Sequence, residues 1–178
     1  MIDMARWLIG DIAMVNAHLA TFVERPGPDG QSLDPANDSA VLTLKFNDDG
    51  QGVIYVSAVA HVGQRHQEFQ ILLHGEHGTL ELECNISDGY IVRGARSDEE
   101  QIKPLAIPPD ILRGVQPDAP FLEQLQQVFT EQPVGSRLFI DGIVEDNAVS
   151  PSFYDGLQTQ KVIAAAVEAD RRGCWVSV

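Results

Sequence analysis

Basic residues are scarce in this chain. Twelve Lys and Arg stand against 26 Asp and Glu, a formal net charge of −14 over 178 residues. That surplus makes the phosphate term repulsive, which argues against nonspecific binding to nucleic acid or to an anionic lipid surface. Solubility alone accounts for the acidity. Cysteine is scarce too: Cys84 and Cys174 stand far apart, without CxxC spacing. They are expected as reduced, buried thiols rather than as a disulfide or a metal site. No apolar run is long enough to span a membrane. The start lacks a basic segment followed by an apolar stretch, so no signal peptide is expected and the cytoplasm is the default location. Also missing are G-x-G-x-x-G, a Walker loop, H-E-x-x-H and a nucleophile elbow.

What is present is a chain long enough for one domain with a sizeable core. Its centre, Val41 to Leu82, reads as consecutive strands with one apolar face. Side chains alternate across a strand, so period-two patterning marks half-buried strands. Ala40, Leu42, Leu44 and Phe46 share one side; Ile54, Val56, Ala58, Ala60 and Val62 repeat the pattern, as do Phe69, Ile71 and Leu73, then Leu80 and Leu82. The turns Asn47-Asp48-Asp49-Gly50 and Gly75-Glu76-His77-Gly78 are short and join antiparallel neighbours. The reading is an α+β fold: a predominantly antiparallel, open-faced sheet with helices covering one face.

Around that centre, residues 2–10 read as a helix with the stripe Ala5, Leu8 and Ile9, with no capping sequence before it. Asp3 suits the positive end of the helix dipole and stands three residues from Arg6, within pairing reach. Ile12–Glu24 reads as a long strand, and residues 25–37 as a Pro/Gly/Asp/Asn loop. Residues 102–120 hold five prolines and read as an irregular arm. Phe121–Gln132 reads as a helix with Phe121, Leu122, Leu125, Val128 and Phe129 on one stripe, and Ile140–Ser150 as a loop. Ser152 and Asp155 form a capping box for a last helix that ends at Gly173. Phe153, Leu157, Ile163, Ala164 and Val167 are expected to face the sheet, with Gln160 as a satisfied amide among them. Cys174–Val178 reads as a final strand.

Five histidines occur: His18, His61, His66, His74 and His77. None has a helical partner at metal spacing. The turns carrying His61–His66 and His74–His77 follow consecutive antiparallel strands and belong at opposite ends of a sheet, so no histidine metal cluster is expected. From the residues alone, no self-contained active site emerges.

An ordered set of motifs nonetheless resembles a known family. The start Ile2-Asp3-Met4-Ala5-Arg6-Trp7-Leu8-Ile9-Gly10, the hairpin Gly75-Glu76-His77-Gly78-Thr79-Leu80, and the ending Pro151-Ser152-Phe153-Tyr154-Asp155-Gly156-Leu157 through Gly173-Cys174-Trp175-Val176 carry it. They resemble the second domain of the glucose–fructose oxidoreductase / inositol dehydrogenase / rhizopine-catabolism (Gfo/Idh/MocA) oxidoreductases. The resemblance covers essentially the whole of 1–178, as a single substrate-binding and oligomerisation domain. It implies an NAD(P)-dependent hydride transfer on a sugar or polyol, with the nucleotide held by a Rossmann domain that this sequence lacks. Asp3 matches the last Asp of the family's Asp-x-x-x-His-x-x-Asp stretch; the preceding His and Asp, and the Lys of Glu-Lys-Pro, have no counterpart here. The chain alone is therefore expected to bind no cofactor and to be inactive. Substrate contacts are expected at Asp3 and Arg6, then at His61, Arg65 and His66. The expected partners are a sugar-like small molecule and further copies of the chain, the latter through the sheet face. The alternative is a stand-alone carbohydrate- or partner-binding module using that face: Thr43, Lys45, Tyr55, Ser57, His61, Gln70, Glu81, Glu83 and Arg93.

Overall fold

A computed structural model describes residues 1–31 and 36–178. They form two compact units, Met1–Ala60 with Ser150–Val178, and His61–Val149. The elements in chain order are α1 (Ile2–Leu8), β1 (Ile12–Ala20), β2 (Ser39–Phe46), β3 (Gln51–Ser57), a 3-10 turn (Gly63–Arg65), β4 (Glu68–Gly75), β5 (Gly78–Asn85), β6 (Gly89–Arg96), β7 (Lys103–Pro104), α2 (Pro109–Leu112), α3 (Phe121–Glu131), α4 (Ser136–Glu145), α5 (Phe153–Arg172) and β8 (Val176–Ser177). Two antiparallel sheets plus helices make the fold α+β, as the strand patterning predicts.

The strands do not share one sheet, however. β3-β2-β1-β8 form a sheet in the first unit and β4-β5-β6-β7 another in the second. The apolar run 53–62 stops pairing at Ser57, where the Ala58 amide turns to the Asp38 carbonyl. β1 likewise ends at Ala20 rather than Glu24. The Phe22 and Val23 amides donate to the Asp38 carboxylate at 2.9 and 3.0 Å instead of to a neighbouring strand. One buried carboxylate thus ends the strand that leads into the loop. That loop, residues 25–37, falls partly on residues 32–35, outside the described residues.

In the first sheet β2 alternates as its sequence predicts, with Ala40, Leu42, Leu44 and Phe46 buried. On β1, Ile12 and Val15 are both buried although three apart. A bulge explains this: Ile12 faces Phe46 while Met14 faces Lys45, so one extra residue flips the parity. α5 completes this core, and here the expected face is wrong by about one residue. Val162, Ala165, Ala166 and Ala169 point inward, whereas Phe153, Leu157 and Ile163 are exposed, and so is Gln160. Ala164, also expected inward, is exposed and Val167 is half-buried, so the inward face is carried by Val162 with Ala165, Ala166 and Ala169. The Asp170 carboxylate pins the contact by accepting the Leu19 amide at 2.9 Å. β8 pairs only with Met14 and Val15, so β1 has no strand on that side at Leu19.

The second unit is built on the β4–β5 hairpin, whose Gly75 and Gly78 face each other across Glu76-His77, as the sequence predicts. Gly78 sits at φ 149°, and a Cβ there would collide with the Ala95 carbonyl oxygen on β6. Phe69, Ile71, Leu73, Leu82, Cys84 and Val92 share one face of this sheet. The expected loop at 140–150 is instead mostly helix, α4, which runs from Ser136 to Glu145. Gly142 makes room for the chain to fold back, because a Cβ there would meet Val149. Both cysteines are free and half-buried rather than fully buried.

Candidate functional site

The two sets of predicted contact residues fall in different units. Asp3 and Arg6 belong to the first; His61, Arg65 and His66 belong to the second.

Arg6 is the best-anchored cation in the first unit, with its side chain only 9% exposed. Its Nε and Nη2 both donate to Asp11 Oδ1, at 3.1 and 2.8 Å. Nη1 donates to the Asp155 backbone carbonyl at 3.3 Å and lies 3.6 Å from Asp3 Oδ1, so the predicted pairing across three residues is present. α1 is thereby tied to the N-terminus of α5. There Ser152 and Asp155 form the expected capping box. The Asp155 carboxyl is held below its usual range, first by the Ser152 backbone N–H, then by the Ser152 hydroxyl, with Arg6 adding to the effect against the cost of burial. The Arg6 guanidinium is therefore already bonded, whereas the Asp3 carboxylate is about half exposed. This corner borders a cavity of about 250 Å³ whose wall includes Arg6, Asp11, Asn47 and Gln158. Asp11 and the Asp155 carbonyl escaped the sequence reading. Asp155 was legible only as a cap, and nothing marked Asp11.

In the second unit His61, Arg65 and His66 are all solvent-exposed, with Val62 between them half-buried. The Gln67 amide donates to the Arg65 carbonyl at 2.7 Å around His66, whose backbone sits at φ 60°, ψ −52°. That is the geometry of the rare, strained form of γ-turn. Such strain persists only where neighbours hold the chain, and it clusters at functional loops. Here Ser87 Oγ donates to the Gln64 carbonyl at 2.6 Å, and Arg65 Nη1 donates to Glu68 Oε1 at 2.8 Å.

Among the described residues no three His, Cys, Asp or Glu side chains converge on a metal position. No described strand runs through a glycine-rich turn into a helix: α2 and α3 follow Pro108 and Pro120, α4 has Gly135 at its N-cap but follows α3 rather than a strand, and α5 follows Ser152. Among the described residues, no strand runs into a helix through the close backbone approach that a dinucleotide's pyrophosphate needs. No described helix is long and apolar enough to cross a membrane.

The model of an oxidoreductase family's C-terminal alpha/beta domain matches residues 1–178. The chain belongs to the Gfo/Idh/MocA family. The Gfo/Idh/MocA resemblance read from the motifs is thus shown over the full chain. One relative is the levoglucosan dehydrogenase of Pseudarthrobacter phenanthrenivorans, 28% identical over 99% of this chain and 49% of its own length. A levoglucosan dehydrogenase solved in complex with NADH and levoglucosan superposes with a TM-score of 0.79 at 25% identity, over 99% of this chain and 47% of that one. An oxidoreductase domain protein from Kribbella flavida shares the fold, with a TM-score of 0.75 at 24% identity over 99% of this chain and 49% of that one. The chain spans about half the length of these Gfo/Idh/MocA relatives.

Proposed function

We propose that this chain is the substrate-binding and oligomerisation half of an NAD(P)-dependent sugar or polyol dehydrogenase. The observation that carries the reading is the family match over residues 1–178, set against relatives about twice as long. One solved relative holds both NADH and levoglucosan, which makes a compact sugar the first substrate to try. In this reading the nucleotide sits on a separate domain and this chain supplies pocket walls.

Asp3 is the chain's acceptor for a substrate hydroxyl, because its carboxylate is half exposed on the first turn of α1. Arg6 orients it from below, and the His61–His66 turn offers Arg65 and two imidazoles as further contacts. Trp7 is 82% exposed beside Asp3 on the same helix, an apolar surface that suits the neighbouring domain.

The outward face of the first sheet is the oligomerisation surface. Val53 and Tyr55 are 69% and 62% exposed there, beside Thr43 and Lys45. Exposed aromatic and β-branched residues on a flat sheet favour a self-complementary contact. The broader face expected from sequence divides between the sheets: Gln70, Glu81, Glu83 and Arg93 lie on the second, with Arg93 Nη1 2.9 Å from Glu83 Oε1.

The genomic sequence immediately upstream tests the reading. An in-frame G-x-G-x-x-G and Glu-Lys-Pro support the dehydrogenase; a stop codon and ribosome site just before Met1 support the stand-alone module. In the longer product, Asp3→Asn is expected to lower NAD-dependent oxidation of levoglucosan. Val53→Glu with Tyr55→Glu is expected to lower the mass measured by sedimentation. Unchanged turnover and unchanged mass would contradict the two roles separately.

A further inference from the structure

The second unit keeps little of its apolar surface inside. Among its described residues Val115 is the only buried apolar side chain. Its two longer helices turn apolar sides outward. On α3, Leu122, Leu125 and Phe129 stand at i, i+3 and i+7, hence on one stripe, and all three are exposed. On α4, Phe139 with Ile143 and Ile140 with Val144 form two i, i+4 rows, also exposed, Val144 the most at 78%. The side of α4 that is partly covered is the other one, where Leu138 is half-buried and Gly142 lies against Val149.

The two stripes join. Gly135, the N-cap of α4, stands one i, i+4 step before Phe139, and the Phe129 ring lies beside it: a Cβ at Gly135 would be 3.7 Å from Phe129 Cε1. The row of Gly135, Phe139 and Ile143 thus continues into α3. Together the stripes expose about 800 Å² of side chain, more than soluble monomers ordinarily leave in one patch and what one partner contributes to an interface of standard size. The shape selects the partner. Rows at i, i+4 pack into the grooves between like rows, the commonest class of helix–helix contact, so a second α4 supplies the matching surface. A two-fold contact of this kind is self-complementary and closes after two copies.

We propose that α3 and α4 form a contact between two copies of this chain, separate from the first-sheet face. It lies within residues 121–145 and does not rest on the dehydrogenase reading. The charges on these helices set its salt dependence. Glu123, Glu131, Asp141 and Glu145 stand against Arg137, whose Nε is already 3.8 Å from Asp141 Oδ2. Two copies therefore bring like charge together, and salt that screens the repulsion strengthens the contact.

The test is sedimentation equilibrium on the whole chain carrying Val53→Glu and Tyr55→Glu, which removes any association through the first sheet. This protein is expected to remain a dimer at micromolar concentration. Adding Ile143→Asp is expected to weaken the dimer at least about tenfold, and Phe129→Ser, at the far end of the surface, at least about threefold. Raising sodium chloride from about 0.02 to about 0.3 M is expected to tighten it at least about twofold. Both substituted side chains are exposed, so the melting temperature of the dilute monomer is expected to stay within about 3 °C. A monomer at micromolar concentration, a dimer indifferent to both substitutions, or one that salt loosens would overturn the proposal. So would a dilute monomer whose melting temperature falls further with Ile143→Asp, because the stripe would then be covered within a single chain.

Discussion

Asp38 shows what one residue does here. Its side chain is fully buried, yet it sits at the entry to β2 and takes two backbone amides from the far side of the loop, with Arg25 Nη2 at 3.8 Å. The Phe22 amide is the largest cause of its lowered pKa; burial opposes it, and the Val23 amide and Arg25 add to it. The sign follows. A carboxyl lowered in the folded state contributes stability above its unfolded pKa, about 3.9, and that contribution is lost as pH falls through the folded value. Asp38→Asn is therefore expected to lower the urea midpoint at neutral pH and to flatten its decline with acid. Urea melts across that range check it; an unchanged midpoint at pH 7 would contradict it. Gly78 makes a second residue-scale case. Gly78→Ala must place a side chain against β6 at a backbone angle that L residues avoid. A loss of at least about 2 kcal/mol is expected by denaturant unfolding.

At the scale of elements, α5 gives the sharpest test because sequence and structure disagree about its face. Ala166→Leu is expected to cost about 1–3 kcal/mol through overpacking against β1. Ile163→Ala, on the solvent side, is expected to change stability by less than about 0.5 kcal/mol. Thermal melts of the two variants would show the reverse order if the larger side chains faced the sheet. The disagreement has a physical source. Binary patterning weighs hydrophobicity, so Phe153, Leu157 and Ile163 outrank alanines, but the inward stripe runs through Val162, Ala165, Ala166 and Ala169, one residue round the helix. β2 was legible because its inward face, Ala40, Leu42, Leu44 and Phe46, is uniformly apolar and buried. The Ser152–Asp155 cap and the Gly75–Gly78 hairpin were legible because local chemistry alone fixes them. The ends of β1 and β3 were not, because both depend on Asp38, which is remote from them in sequence. α4 was hidden by Gly142, read as a loop residue but set where the returning chain needs space. In the candidate site, Asp3 with Arg6 followed from spacing, whereas Asp11 and the Asp155 carbonyl came from tertiary contacts that no local pattern marks.

At the scale of the whole molecule, the account rests on division of labour. Hydride transfer needs a cofactor held and oriented. The described residues offer a polar corner at Asp3 and Arg6, a strained exposed turn at His66 and an open sheet face, but no cradle for a pyrophosphate. In the proposed reading these surfaces shape the substrate pocket and join copies, and the nucleotide is held on a separate domain. The most direct test is calorimetric titration of the chain with NADH. The account predicts no saturable heat from the chain by itself. Tight, saturable binding would contradict it, because it would require a nucleotide site within these 178 residues.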